Sequence, residues 1–494
     1  MRVTALLICL IVDLPVAPRI LQADPVNAAG RPGNPTAPEK HQIQLFDAKA
    51  YGAMGDGVTD DTAALASAVA AATATQGIVR LPAGTYVGTI TITKGGITIE
   101  GAGKNTTVIK APISTPSPGP GAVLGIANSS HTTIKDLTID GNRRKRAGSR
   151  PMPYSLLLYQ SNDCTIENVS VADSTAIGVG ISASRKTKLF KCEVDGSAWQ
   201  NITTLNNKAG GCEGTVMSNC TATNPGYDCL QVSNVGAVIV DRCYLAGSPF
   251  AGIYVSTGAR NVTLRNNTIV NCYAGIDMSW GTAGGGSSGP DPSEGNVIVG
   301  NRVLGCQNIG ISTASNGTLI SSNTILDTGL HAVRTYTLLG QRTTISSGGT
   351  GYGVGDILKF AGGKYVKPAE VHASAIGIGG TVTSITMQNR STAYYLGVYT
   401  ATPANPVPVT GGGGTGATFN TTWDARGLEY AGIAIADARN VAITSNISGN
   451  NPGNITQQYG VALFYQHAKP EHVTISNNSL PGNAVASVAP LKKR

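Results

Sequence analysis

The feature that most constrains this chain is a column of cysteines and asparagines that recurs along it. Set in register, the strand-like segments LFKCEV, MSNCTA, DRCYLA, LRNNTI, VGNRVL and SSNTIL place Cys192, Cys220, Cys243, Asn267, Asn301 and Asn323 at one position. Successive members stand 28, 23, 24, 34 and 22 residues apart. One short β-rich unit every ~20–30 residues marks a solenoid, whose units bury their apolar faces only by stacking on each other. An Asn at a bend stacks its amide on the Asn of the next coil and satisfies turn backbone groups. Composition agrees, since 13% charged residues and 63 glycines favour an all-β, turn-rich chain. Coils ~4.8 Å apart bring Cys192, Cys220 and Cys243 within disulfide distance, but parallel side chains seldom offer the required torsion, so a buried thiol stack is expected. Cys272 and Cys306 form a second in-register pair.

The chain divides by pattern. Residues 1–18, with Arg2 before the apolar run Ala5 to Val12, read as a secretion signal; the run is too short to span a bilayer of ~30 Å, so no membrane span is expected and the location is read as secreted or periplasmic. Residues 19–41 are a Pro- and Ala-rich lead-in. The solenoid occupies 42–339, opening with an Ala-rich helix near 62–74 that Thr59, Asp60 and Asp61 are placed to cap. That helix is expected to cover the open end of the core. Residues 340–425 carry Gly-rich hairpin signals and no coil pattern, and read as a β-rich module inserted in the 123 residues between Asn323 and Asn446. Residues 426–494 return to coils, with Asn446 and Asn478 rejoining the column, and end in a basic tail. Within the module, Tyr394, Tyr395, Tyr399 and Trp423 suit core packing or sugar stacking, and packing is the commoner use.

FDAKAYGAMGDGVTDDTAAL, the following LPAGTY and the later ITIEGAG resemble the N-terminal cap region of the pectate-lyase-like right-handed parallel β-helix superfamily. That group includes polysaccharide lyases, polygalacturonase-related hydrolases, alginate C5-epimerases and phage tailspike depolymerases. The resemblance implies an all-β right-handed parallel β-helix with an N-terminal capping helix and an inserted module. It implies a polysaccharide partner but no particular reaction, because the motif belongs to the cap.

Candidate site residues come from columns across coils. After each bend a second short strand follows, AGIYVS, AGIDMS, IGISTA or HAVRTY, and aligning these places Gln231, Tyr254, Asp277, Ser312 and Arg334 in one column. Asp228 and His331 stand three residues earlier on their coils. One face is therefore expected to collect Asp228, Tyr254, Asp277, His331 and Arg334 as catalytic candidates, with Tyr336 and Trp280 as substrate-binding neighbours. Scattered surface acids, a solvent-bridged Asp277–Arg334 pair and a turn role for Asp228 are the plainer alternatives. The basic run including Arg143 and Arg144 reads either as a solvated loop or as a contact for an acidic polymer.

Two mechanisms fit. In β-elimination, Arg334 neutralises a uronate carboxylate, His331 or a Tyr removes the C5 proton, and a Tyr protonates the leaving oxygen. Inverting hydrolysis needs two carboxyls ~6.5–9.5 Å apart, a range that Asp228 and Asp277 approach. The DPHE-type motif of epimerases is absent, YAGIDMSW keeping only an aspartate, and so are the paired Asp and GHG signatures of polygalacturonases. Elimination on an acidic, uronate-containing polysaccharide is the leading expectation. Hydrolysis, C5-epimerisation and non-catalytic glycan binding by a surface or tailspike-like adhesin are the alternatives. No spacing suits zinc, and no EF-hand-like loop is present. Calcium stays open only through the resemblance, since some lyases of this fold use it, and no other cofactor is implied. Nucleic acid is excluded as a partner by 5% aromatic content and the lack of any recognisable module. Oligomeric state is not encoded in any pattern found.

Overall fold

Each coil is built from two short strands joined at one left-handed residue, followed by a third strand across the core. In one such coil, Thr263–Arg265 and Thr268–Val270 flank Asn266, whose φ is 54°, and Ala274–Met278 completes the turn. Asn219, Arg242, Gly300, Ser322, Ser445 and Asn477 hold the same left-handed bend on other coils. That conformation suits Asn and Gly best, which is why they recur there. A computed structural model describes residues 43–113, 121–146, 152–205, 211–233, 236–256, 258–278, 293–329, 335–386, 396–426, 431–454, 456–465, 468–489 and 491–493. The first two strands of the coils merge into a 23-stranded parallel sheet, and the third strands form a 13-stranded parallel sheet. The signal-like segment and the lead-in lie outside the described residues.

The two sheets approach closely at one corner, and the AGI signature records it. A Cβ on Gly275 would fall 2.4 Å from Val303 Cγ1, and one on Gly310 2.3 Å from Ile325 Cγ2. Only Gly fits where the start of the third strand crosses the opposite sheet. Ile and Val at alternate positions of all three strands fill the interior, which is one continuous apolar core from Ala48 to Val461.

The end of that core is covered by the helix Thr62–Thr75, whose Leu65, Ala68, Val69 and Ala72 are buried on it. Its capping differs in detail from the expectation. Asp60 accepts from the Thr62 N–H at 3.0 Å, which lowers the acid's pKa, whereas Asp61 turns back to the N–H groups of Met54 and Gly55. Asp61 thus fastens the Gly-rich turn to the helix start rather than capping it.

Immediately after the left-handed bend comes the inward column. The Asn301 Oδ1 accepts from both the backbone N–H and the side-chain amide of Asn267, at 3.0 and 2.9 Å. Asn323 does the same for Asn301, Asn446 for Asn323 and Asn478 for Asn446. Each amide also donates to a main-chain carbonyl of a neighbouring coil, as Asn301 does to Leu264 at 2.9 Å. Each buried amide is thus satisfied by its neighbours on both sides, just inside a left-handed residue that is itself exposed. Toward the N-terminus the column continues as Cys243, Cys220 and Cys192, all buried and all free thiols. The bond with Cys220, together with burial, holds the Cys192 thiol well above its ordinary range. Cys272 and Cys306 are likewise free and buried.

The Asn323–Asn446 contact shows where the chain leaves the helix. Ile309–Thr313 pairs directly with Ala431–Ala436, so the intervening chain is an excursion between adjacent coils. Its strands run from Thr335–Leu338 to Trp423–Arg426, a few residues wider than the hairpin signals imply, and form antiparallel sheets of six and four strands. The module has its own core, in which Phe360, Tyr399 and Phe419 are fully buried and Trp423 packs edge-on to Tyr399 at 4.4 Å. Packing therefore claims Tyr399 and Trp423, while Tyr394 and Tyr395 lie outside the described residues.

Two outcomes test this architecture. Asn301→Ala leaves two buried donors of Asn267 without an acceptor and should cost about 2–5 kcal/mol, read as a lower denaturant midpoint. Thiol titration under denaturing, non-reducing conditions should find all eight cysteines from Cys164 to Cys306 free; two or fewer would reject the sulfur stack.

Candidate functional site

The outward column of the third strands is in the expected register for four members. Gln231 pairs with Tyr254, Tyr254 with Asp277, and Asp277 with Ser312. The next place belongs to Ala434, not Arg334. The reason is topological: the excursion stands between the coil of Ser312 and that of Ala434, and the segment HAVRTY runs into it. Its visible end, Thr335–Leu338, pairs antiparallel inside the module, where Tyr336 lies opposite Tyr399 and Ala425 and packs on the module core. Tyr336 is thus not on the face expected of it. His331, Arg334 and Trp280 lie outside the described residues.

The acids of the face are far from solvent. Asp277 is 3% exposed and accepts a hydrogen bond from the Ser312 hydroxyl at 2.8 Å. Asp228 is fully buried; its Oδ1 accepts from the Ala251 N–H at 3.1 Å, and its Oδ2 has no partner. Burial pushes its pKa well above the ordinary carboxylate range, the Ala251 bond opposes this, and the charges of Asp277 and Cys272 reinforce it. Burial therefore favours the neutral form of the Asp228 carboxyl in this wall. Among the described residues of the column and its neighbour three positions back, from Gln200 and Thr203 to Ala431 and Ala434, no Lys, Arg or His appears.

One residue further back lies a column that the sequence reading passed over. Trp199, Tyr227, Phe250 and Tyr273 occupy equivalent places on four successive coils, each four residues before an outward member of the third strand. The Trp199 and Tyr227 rings are 6.3 Å apart, Tyr227 and Phe250 stack at 4.6 Å and 8°, and Tyr254 meets the Phe250 ring edge-on at 5.7 Å. Trp199, Tyr227 and Tyr273 are half-buried, with part of each ring turned to solvent. Asn308 continues the column. A small pocket opens beside it, lined by Phe250, Tyr273, Asp277, Asn308, Ile309 and Ser312, in which the Asn308 Oδ1 is buried without a hydrogen bond. The signal was available as an aromatic at a fixed offset before each AGI-like strand.

The basic loop is closed upon itself. Arg143 Nε lies 3.3 Å from Asp173 Oδ1, Arg144 contacts the same carboxylate at 3.8 Å, and Arg146 is buried with its guanidinium donating to the Pro112 carbonyl. Within the described part of the loop, Arg144 and Lys145 project into solvent. Among the described residues no cluster of three or more His, Cys, Asp or Glu is placed to hold a metal, and no helix is long and apolar enough to cross a membrane.

The sequence and the fold are similar to those of known proteins. Residues 45–288 fit the family described as Rhamnogalacturonase A/epimerase, pectate lyase-like. The Preneck appendage protein of Bacillus phage PZA is 26% identical over 315 residues, 58% of this chain and 33% of that protein. This chain therefore matches about a third of the appendage protein's length. Mannuronan C5-epimerase AlgE5 of Azotobacter vinelandii is 34% identical over 149 residues, 27% of this chain and 15% of that one. The Dettilon tailspike protein shares the fold, with a TM-score of 0.57 over 90% of this chain and 68% of its own at 15% identity. With its cap motif, its stacked parallel coils and the family match in agreement, the chain belongs to the pectate-lyase-like right-handed β-helix superfamily.

Proposed function

We propose that this protein binds a polysaccharide along the corner column Trp199–Tyr227–Phe250–Tyr273, and that the bound stretch is uncharged. The carrying observation is the repetition of one aromatic side chain on each of four successive coils, of which Trp199, Tyr227 and Tyr273 are half-buried and Phe250 is buried. Because Tyr227 and Phe250 lie face to face, the column offers a strip of apolar ring edges, with the tilted Trp199 ring at its end, for the C–H faces of pyranose rings to pack on. The adjoining pocket offers acceptors, the Asp277 carboxylate and the unpaired Asn308 Oδ1, to donating hydroxyl groups. A uronate carboxylate about 5 Å from Asp277 would instead be repelled by on the order of 3 kcal/mol at an effective dielectric of ~20.

The elimination expected from the sequence rested on Arg334 to neutralise a uronate and His331 to take its proton. The register gives the expected place of Arg334 to Ala434, and the acids that remain are a fully buried Asp228, whose neutral form burial favours, and a nearly enclosed Asp277. Non-catalytic recognition, in the manner of a surface or tailspike-like binding protein, is the reading these features support best. An exported location, as read from residues 1–18, belongs to the same proposal.

A glycan array followed by calorimetry checks it. Neutral polysaccharides should bind in preference to uronate polymers, and neither absorbance near 235 nm nor new reducing ends should appear; turnover of any glycan would replace this reading with an enzymatic one. Trp199→Ala or Tyr227→Ala should weaken binding by about tenfold, roughly one stacking contact. Asp228→Asn separates wall from catalyst. A raised folded pKa means that the wild type loses stability as pH climbs from about 3.8 through the folded value. The Asn variant, which keeps the acceptor for Ala251, should therefore gain thermal stability over wild type at pH 8 and lose that advantage near pH 3, with binding unchanged.

A further inference from the structure

Charged side chains recur on the corner where one coil passes to the next. The Arg185, Arg260 and Arg439 guanidinium groups lie 3.3, 3.6 and 3.3 Å from the carboxylates of Glu213, Glu294 and Glu471, each on the following coil. All six side chains are more than half exposed. Main-chain register places them in one column, with Gly236 after the first pair and Asn316 after the second. Along the stack the column runs Arg, Glu, Gly, Arg, Glu, Asn, Arg, Glu. In reverse, every Arg falls on a Glu and every neutral residue on a neutral one. Successive members stand between 22 and 123 residues apart, so only the stacking of coils brings out the pattern.

A second column shares its centre. Three residues further on, at the start of each first strand, the outward places hold Val216, Ile239, Thr263, Val297, Leu319 and Ala442, with Lys188 before them and Thr474 after. None of the six is buried, and Leu319 is 37% exposed. This largely apolar run is centred between Thr263 and Val297, and the charge pattern between Arg260 and Glu294, on the same two coils. Pairing within the chain accounts for unlike charges stacked at ~4.8 Å, but ion pairs this exposed add little stability and make no demand on the neighbouring column. A common centre for both columns is what a two-fold contact requires, since there residue i meets residue j and j meets i.

We infer that this face is the contact between two antiparallel copies of the chain, related by a two-fold axis that runs along the strands between the coils of Thr263 and Val297. The apolar column packs on itself, Ile239 opposite Leu319 of the second copy and Val216 opposite its Ala442. The charged column is the rim. Arg260 meets Glu294 of the second copy and Glu294 meets its Arg260, so two internal pairs close into a four-charge ring of alternating sign. In the next outward column Asp241 comes opposite Ser321 and Arg265 opposite Val299, and no like charges meet there. An apolar centre inside a charged rim is the common anatomy of a protein interface. Eight coils, seven steps of ~4.8 Å, give the strip a length of ~34 Å. The six residues from Glu213 to Ser218 give a width of ~20 Å, hence on the order of 700 Å² per copy, near the ~800 Å² of a standard interface. The dimer is independent of what the aromatic corner binds.

Sedimentation velocity of the full chain over a concentration series should show a monomer–dimer equilibrium. Arg260→Glu and Glu294→Arg each set like charges across the axis and should weaken dimerisation about tenfold, with denaturant midpoints little changed because both side chains are exposed. Mixed together, the two variants oppose unlike charges again and should form a heterodimer of near wild-type affinity. A wild type that stays monomeric throughout, or that assembles to any order but two, would overturn the inference and leave the face to another occupant. Single variants that dimerise like wild type would move the contact off this face. Weakened singles whose mixture does not recover would remove the antiparallel register and the inference with it.

Discussion

The structure depends on one contact, an asparagine amide stacked on the asparagine of the next coil. At each bend the left-handed residue faces water, but the residue after it turns into a dry core, and its polar groups need partners that water cannot supply. A single Asn meets this need by accepting two bonds from its neighbour while donating to main chain. The sulfur half of the column does less, since a Cys Sγ makes only weak contacts, to carbonyls at 3.4–3.7 Å and to the neighbouring thiol. The stronger half brackets the excursion. Asn323 and Asn446 bond at 2.9 Å across 123 residues of sequence, so two coils parted by a whole module stay in register as if they were consecutive.

Most of this was legible because a solenoid repeats its local rules. Period-two apolar positions, a left-handed residue and an inward Asn or Cys suffice to align Gln231, Tyr254, Asp277 and Ser312 as the structure does. The alignment broke at Arg334 for a non-local reason. The first strand of the module alternates like a coil strand, and nothing within HAVRTY says that its neighbours run antiparallel. The aromatic column was missed for a related reason. Each ring stands in a turn with different flanking residues, WQN, YDC, FAG and YAG, and only the stacking of coils makes four turns into one surface.

Burial was the other hidden quantity. An outward position on a sheet ordinarily faces water, yet Asp228 and Asp277 stand in the concave join between the corner and the third strand, flanked by coils on either side. Enclosed there, the Asp228 carboxyl favours its neutral form, and an acid that reads as a catalyst in one dimension becomes part of a wall in three. The same enclosure leaves the Asn308 oxygen unpaired beside the Tyr273 ring. Unpaired acceptors next to a half-open aromatic suit ligand hydroxyl groups better than ligand charge.

A solenoid also keeps its scaffold apart from its recognition surface. Core strands tolerate little change, because each Gly of the AGI corner and each ladder amide is fixed by contact with the next coil. The turns carry no such burden, so rings can be added one per coil and a whole module can be inserted at one of them without shifting the register beneath. The ladder that holds Asn323 against Asn446 thereby keeps the spacing of the aromatic column unchanged beneath the turn at which the module is inserted.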